Sequence, residues 1–263
     1  MGNTTLRAES RYDLTATRCV ENRQGEGSFE KMKHVTVTAS SLLCTDLFRA
    51  LDENLRETAS EHCSGFAYES SEEILSPNDP NRDVYFILSG AVRITNFSNA
   101  GKQVTYRDQC AGEMFGLLSA VDGQPRSAHV VACESVTIAR MSDTRFLELL
   151  NSHPQINERV LCHMAALVRS LTDRVTEYGT LSVNQRLYAE LLRLANVTPC
   201  ATGEALITAL PTHAELASRI ATHREAVTRE LRQLSSSGLI EKIKGDLKII
   251  DVAQLKARLD TLV

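Results

Sequence analysis

The chain has 263 residues, 43% of them hydrophobic, enough for two domains with real cores. No apolar run approaches about 18 residues and the first residues carry no apolar signal segment, so neither a membrane span nor export is expected, and the protein is read as cytoplasmic. The net charge of −4 is uneven: residues 181–263 hold 11 Lys+Arg against 9 Asp+Glu (+2), and residues 1–180 hold 18 against 24 (−6). A mildly basic C-terminal part leaves nucleic-acid binding open, because a binder needs a local basic surface rather than a basic average.

Seven cysteines (Cys19, Cys44, Cys63, Cys110, Cys133, Cys162 and Cys200) are scattered without a C-x-x-C pair, which fits a reducing compartment. Residues 1–40 are polar with little periodicity and read as a tail. From Leu43 to Ser60, Leu47, Leu51 and Leu55 recur at i, i+4, i+8, which predicts one amphipathic helix. Residues 64 to 141 read as short strands. Val84 to Leu88 is a buried strand broken by Gly90. Ala91 to Phe97 alternates, a turn follows at Ser98 to Gly101, Lys102 to Tyr106 runs back, and His129 to Met141 alternates again. Strands at this spacing imply a jelly roll or barrel.

Residues 112–128, GEMFGLLSAVDGQPRSA, interrupt that pattern. Read on its own, Arg126 ties down a loop through carbonyls or a carboxylate. From Pro154 to Gly179 the period turns helical. Val160, Met164, Leu167, Leu171 and Val175 follow the spacing of a coiled-coil seam, with Pro154 in the first turn and Gly179 as the expected C-cap.

The stretch His213 to Leu239 predicts two short helices in a tight crossing. Thr212 with Glu215 forms one capping box, and Thr222 with Glu225 suggests a second. Only Ala221 separates Ile220 from that second cap, too short a turn for antiparallel packing, so a helix-turn-helix is expected. On the second helix Val227, Leu231 and Leu234 share one face. Glu225, Arg229 and Arg232 share the other, with Arg224 and Thr228 beside them. Arginine matches guanine O6 and N7 together, and a carboxylate accepts from the cytosine amino group. A merely solvated charged face is the plainer reading. Glu241 to Ile250 predicts a hairpin turning at Gly245-Asp246, with Lys242 and Lys244 on it.

Arg224, Glu225 and Arg229 reproduce the Arg-Glu-x-x-x-Arg pattern of the recognition helix in the CRP/FNR family of bacterial transcription regulators, which the chain resembles over roughly residues 41 to 255. The resemblance implies an α+β protein: a tail (1–40), a jelly-roll sensor (41–152), a dimerisation helix (153–180) and a winged helix-turn-helix domain (181–263). It makes residues 112–128 similar to the cassette that holds a cyclic phosphate. Gly116 would allow close approach, Arg126 and Ser127 would hold the phosphate, and Leu117 and Leu118 would line the pocket. Leu117 stands where that pattern has a glutamate for the ribose hydroxyl. Thr172 falls where family members place a hydroxyl toward the base.

The expected function is a homodimeric regulator binding double-stranded DNA at TGTGA-like half-sites, contacting RNA polymerase, under an effector such as cAMP. The DNA would be met by Thr212, Thr222, Arg224, Glu225, Thr228, Arg229, Arg232, Lys242 and Lys244. No metal or iron–sulfur cluster is expected, and no enzyme motif such as H-E-x-x-H, a Walker loop or G-x-S-x-G occurs. The alternatives are a ligand-independent or redox- or haem-type regulator of the same family, or a nucleotide-sensing module that does not bind DNA.

Overall fold

A computed structural model describes residues 33–98, 103–196 and 203–260. It opens on β1 (Lys33–Val35), which pairs antiparallel with β2 (Cys63–Tyr68) inside the stretch read as tail; residues 1–32 lie outside the described residues. The single helix expected from Leu43 to Ser60 is split. α1 (Ala39–Leu42) is one turn capped by Thr38, and α2 (Glu53–Glu61) starts afresh at Asp52, whose carboxylate accepts from the Leu55 amide at 2.8 Å. An aspartate begins helices better than it continues them, because its side chain competes for backbone donors. Leu47, Leu51 and Leu55 are all buried, so the apolar stripe exists without a continuous helix.

Seven further strands follow: β3 (Glu73–Leu75), β4 (Val84–Ser89), β5 (Ala91–Phe97), β6 (Gln103–Cys110), β7 (Met114–Phe115), β8 (His129–Ala132) and β9 (Val136–Met141). They form a five-stranded sheet in the order β1-β2-β9-β4-β7 and a four-stranded sheet in the order β3-β8-β5-β6. Ile138 of β9 lies opposite Phe66 of β2 and Ile87 of β4, so the period-2 apolar positions fall together across three strands. Phe48, Phe86 and Phe146 are fully buried, with ring centroids 5.0 and 6.4 Å apart in turn. Phe146 comes from α4 (Asp143–Ser152), which Ser142 caps. The run from His129 to Met141 is two strands rather than one, and most of the turn expected at residues 98–101 lies outside the described residues.

The C-terminal elements are α5 (Pro154–Thr180), α6 (Val183–Leu194), β10 (Ala205–Ile207), α7 (His213–Arg219), α8 (Arg224–Ser236), β11 (Ile240–Ile243), β12 (Asp246–Ile249) and α9 (Val252–Asp260). The strands form a sheet ordered β10-β12-β11. The wing turns on Lys244 and Gly245, both with positive φ, one residue earlier than expected; this is the backbone a two-residue hairpin loop requires. Gly179 is not the cap of α5, which runs on to Thr180. Leu187, Leu191, Ile207, Leu216, Val227, Leu234, Ile249 and Leu255 build one apolar core under these elements. Each such side chain contributes about 1.5–3 kcal/mol by burial.

The described residues divide into two compact units. One comprises those up to Val92 together with Gln109–Ile156. The other comprises Arg93–Asp108 together with those from Asn157 onward, so it holds the arms of the β5–β6 hairpin as well as α5 to α9.

Candidate functional site

In the second unit, Thr212 caps α7 through the expected box. Its hydroxyl accepts from the Glu215 amide at 3.3 Å, and the Glu215 carboxylate accepts from the Thr212 amide at 2.7 Å. The second box does not form. Thr222 stays outside the helix with its amide on the Ala217 carbonyl, and α8 begins after His223, whose side chain makes no capping bond. The turn supplies the reason: Ala221 adopts φ +53°, the left-handed region, and this swings the chain so that helix starts one residue later.

Val227, Leu231 and Leu234 are buried, whereas Arg224, Glu225, Arg229 and Arg232 are exposed. With Thr228 these four line an open concavity of about 450 Å³ along the helix. Three guanidiniums and one carboxylate on the outer face of a firmly packed helix form a donor-rich surface of major-groove width. Lys242 and Lys244 are exposed on the wing.

In the first unit, the cassette has a polar knot at its centre. Gly116 has φ +81° and precedes α3 (Leu117–Asp122). Arg126 is 6% exposed, and its guanidinium donates to the Gly116 carbonyl (2.8 Å), the Asp83 carbonyl (2.8 Å) and Asn81 Oδ1 (2.6 Å). Asn81 Oδ1 also accepts from the Tyr85 hydroxyl at 3.1 Å, and the guanidinium lies 5.7 Å from the Tyr85 ring centre. Burial lowers the Arg126 pKa, its neighbouring tyrosine and carboxylates opposing that, and burial also raises the Asp83 carboxyl. A Cβ on Gly116 would stand 2.7 Å from the Asp83 carbonyl and 2.9 Å from Arg126 Nη1, so what needs a glycine here is the arginine knot itself. Leu117 is buried, Leu118 and Ser127 are exposed. Thr172, on α5 in the other unit, is exposed and donates its hydroxyl to the Val168 carbonyl at 2.9 Å.

Two family models match the chain: a cyclic nucleotide-binding domain over residues 66–153 and a Crp-like helix-turn-helix domain over residues 185–258. The chain belongs to the CRP/FNR family. It is 27% identical over 180 residues to the cAMP-activated global transcriptional regulator CRP of Escherichia coli O6:H1, covering 68% of this chain and 86% of that protein. It is also 27% identical over 207 residues to the global nitrogen regulator of Synechocystis, covering 77% and 89%. In fold it is similar to a mutant CooA from Carboxydothermus hydrogenoformans (TM-score 0.68, 18% identity, 87% of this chain and 98% of that one). FixK2 from Bradyrhizobium japonicum is similar as well (TM-score 0.65, 21% identity, 76% and 98%). The family's architecture, a cyclic-nucleotide-binding β structure, a long helix and a C-terminal helix-turn-helix, is the one described above, and the chain is a DNA-binding transcription regulator of the CRP/FNR type.

The long helix of this CRP/FNR chain leaves open an apolar stripe that departs from the expected one only in its N-terminal half. Val160 is 1% exposed, and Met164 and Leu167 are half-buried within the chain. Leu161 (60%), Val168 (61%), Leu171 (42%) and Val175 (70%) are the open positions, at spacings of 7, 3 and 4. Leu171 and Val175 belong to the expected seam, whereas Leu161 and Val168 stand one residue after its Val160 and Leu167.

Charge pairing in the second unit was not anticipated. Glu190 of α6, its side chain 1% exposed, accepts from Arg174 of α5 (3.2 Å), Arg219 of α7 (3.2 Å) and Arg193. Arg219 also pairs with Asp108 of β6, Arg93 of β5 pairs with Asp108 (2.9 Å) and with Glu215 of α7, and Arg193 pairs with Glu177 (2.6 Å). The Arg174 guanidinium and the Tyr178 hydroxyl both donate to the Arg219 carbonyl, at 3.1 and 2.9 Å. A mid-helix arginine and glutamate, far apart in sequence, carry no local signal of such a network. Among the described residues no group of three or more His, Cys, Asp or Glu is placed to hold a metal ion, and burial pushes the Cys44 thiol up and the Cys63 thiol up to about 12. No described helix is long and apolar enough to cross a membrane.

Proposed function

We propose that this protein acts in the cytoplasm as a homodimer that reads palindromic DNA through α8 and hands the signal to RNA polymerase. The observation that carries this is the split of α8 into a buried apolar face and an exposed face of Arg224, Glu225, Arg229 and Arg232. Half-sites resembling TGTGA/TCACA, centred about one helical turn apart, suit that face and a two-fold dimer. Thr212, Thr222, Thr228, Lys242 and Lys244 flank it and supply contacts to the backbone. The open stripe of Leu161, Val168, Leu171 and Val175 supports the dimer, since four large apolar side chains in register are covered when a second copy brings the same stripe. Selection from random DNA tests the reading. A two-fold symmetric consensus is expected, and recovery of unrelated sequences would refute it.

For the effector, cAMP is the first candidate, because the similar Escherichia coli regulator is described as cAMP-activated. Arg126 and Ser127 would then take the phosphate, with Gly116, Leu117 and Leu118 around the nucleoside. A second reading is favoured by the knot around Arg126. That guanidinium already has three internal acceptors, and each charge-assisted bond is worth about 1.5–3 kcal/mol. In this reading Arg126 ties the cassette loop and the regulator answers to no cyclic nucleotide. Calorimetric titration separates the two. Micromolar binding of cAMP or cGMP supports the first, and absence of heat at about millimolar ligand supports the second.

A further inference from the structure

We propose that His213 meets a DNA backbone phosphate through Nε2, and that this contact forms only as the imidazole takes up a proton. The proposal rests on the reading of α8 as the DNA-reading helix. His213 is the first residue of α7, half-buried, with Nδ1 2.7 Å from Thr228 Oγ1 of α8. Thr228 lines the open concavity with Arg224, Glu225, Arg229 and Arg232, so the imidazole stands at the edge of the surface that would receive DNA. The Thr228 hydroxyl gives its single hydrogen to the Arg224 carbonyl at 2.9 Å. Toward His213 it can therefore only accept, and Nδ1 must carry a hydrogen. In the neutral ring Nε2 is then a bare lone pair, which a phosphate oxygen repels. Only the imidazolium donates from both nitrogens, one to Thr228 and one to the phosphate.

Burial and the charges around the ring set the direction of the effect. Burial first, then Lys242 of β11 and Arg224 and Arg232 of α8, which face the ring, hold its pKa below the usual 6.5 in the free protein. On its own helix the nearby Glu215 is engaged by the Thr212 amide and Arg93. At neutral pH the free protein thus holds His213 uncharged. A phosphate adds negative charge and an acceptor at Nε2, which raises the pKa in the complex. Binding takes up a proton, so affinity rises as pH falls, by up to about tenfold per pH unit per half-site between the two pKa values. Because a phosphate carries no sequence information, the effect is common to specific and random duplexes.

The test is fluorescence anisotropy of the full chain on a selected palindromic duplex and on a random duplex, at fixed salt, from about pH 8 down to about pH 6. Wild type should tighten on both duplexes as pH falls. His213→Gln, whose amide can still donate to Thr228, should lose this slope. His213→Arg, charged at every pH, should hold the tight acid-pH affinity throughout. The other histidine at this surface, His223, is exposed before α8 and has no capping bond; His223→Gln should keep the wild-type slope. A flat wild-type profile, an unchanged slope in His213→Gln, or loss of the slope in His223→Gln overturns the proposal. Absence of duplex binding by wild type at every pH overturns the DNA reading itself, and the proposal with it.

Discussion

Glu190→Gln is the sharpest probe of how the second unit is held together. The substitution keeps the shape of the side chain and removes its charge. In the native chain one carboxylate with 1% of its side chain exposed serves Arg174, Arg193 and Arg219, three bonds to charged donors. A bond to a charged group is worth about 1.5–3 kcal/mol, and one between neutral groups about 0.5–1.5. Loss of the carboxylate charge weakens each of the three by about 1 kcal/mol or slightly more. The amide also turns one acceptor into a donor that faces a guanidinium. The expected cost is about 3–4 kcal/mol, within the 3–5 typical of removing one partner from a buried pair and a large part of the 5–15 that holds most domains folded. Urea unfolding followed by circular dichroism measures it, and hydrogen exchange in α6 and α8 shows that the loss lies in the second unit. A difference below about 1 kcal/mol would refute the reasoning, since it would mean that water already solvates the carboxylate.

The remaining expectations follow from the same geometry. Arg229→Ala should lose about 1–3 kcal/mol of discrimination at one base pair, while Lys242→Ala should weaken all duplexes alike and flatten the salt dependence; anisotropy across a set of point-changed duplexes separates the two effects. Val168→Asp should cost about 2–5 kcal/mol of association while leaving the protomer folded, because that side chain is 61% exposed in the single chain; sedimentation should show monomer at concentrations where wild type is dimeric. If Arg126 is a loop tie, Arg126→Leu should destabilise the first unit by about 2–5 kcal/mol in urea unfolding; a near-neutral effect would favour an arginine kept for a ligand. Despite burial, which raises it, the bonds from Arg93 and Thr212 hold the Glu215 pKa below the usual 4.5. Its contribution to stability is therefore complete above 4.5 and is lost as pH falls through the depressed value, and Glu215→Gln should remove that part of the acid dependence of Tm.

What could be read in advance depended on whether the signal was local. The box at Thr212 and Glu215, the two faces of α8 and the buried run of β4 are all written within a few residues of one another, and each formed where expected. β5 formed as a strand, but its buried residues are Val92 and Thr95, three apart, so the strict alternation expected there did not hold. Helix continuity from Leu43 to Ser60 failed although its leucines are buried, because a stripe at i, i+4 records which side chains go inward and not whether the backbone between them stays helical. Asp52 interrupted it with one side-chain bond. Thr222 failed as a cap for a related reason: Thr-x-x-Glu is a possibility in the sequence, and the left-handed Ala221 decided which residue stands at the helix start.

The seam on α5 shows the limit most clearly. Val160, Met164, Leu167, Leu171 and Val175 make an unbroken apolar series, and so do Leu161, Ala165, Val168, Leu171 and Val175; a helix this rich in apolar residues carries two overlapping stripes. Periodicity alone cannot rank them, since the two differ by one residue, about 100° of helix rotation, and share their C-terminal members. Burial ranks them. Val160 is spent inside its own chain while Leu161 and Val168 are left open, so the same helix has an inner face and an outer face that separate toward its N-terminal half. Arg126 poses the corresponding problem in polar terms. A motif names the residue type that would suit a phosphate, and a guanidinium with five donors suits two carbonyls and an amide oxygen equally well. Which acceptor it holds is a property of the loop that brings Asn81 and Asp83 to it, more than forty residues away in the chain. For that reason the decisive comparison at this site is between two measurements on the same residue, its contribution to folding and its contribution to ligand binding, rather than between two sequence patterns.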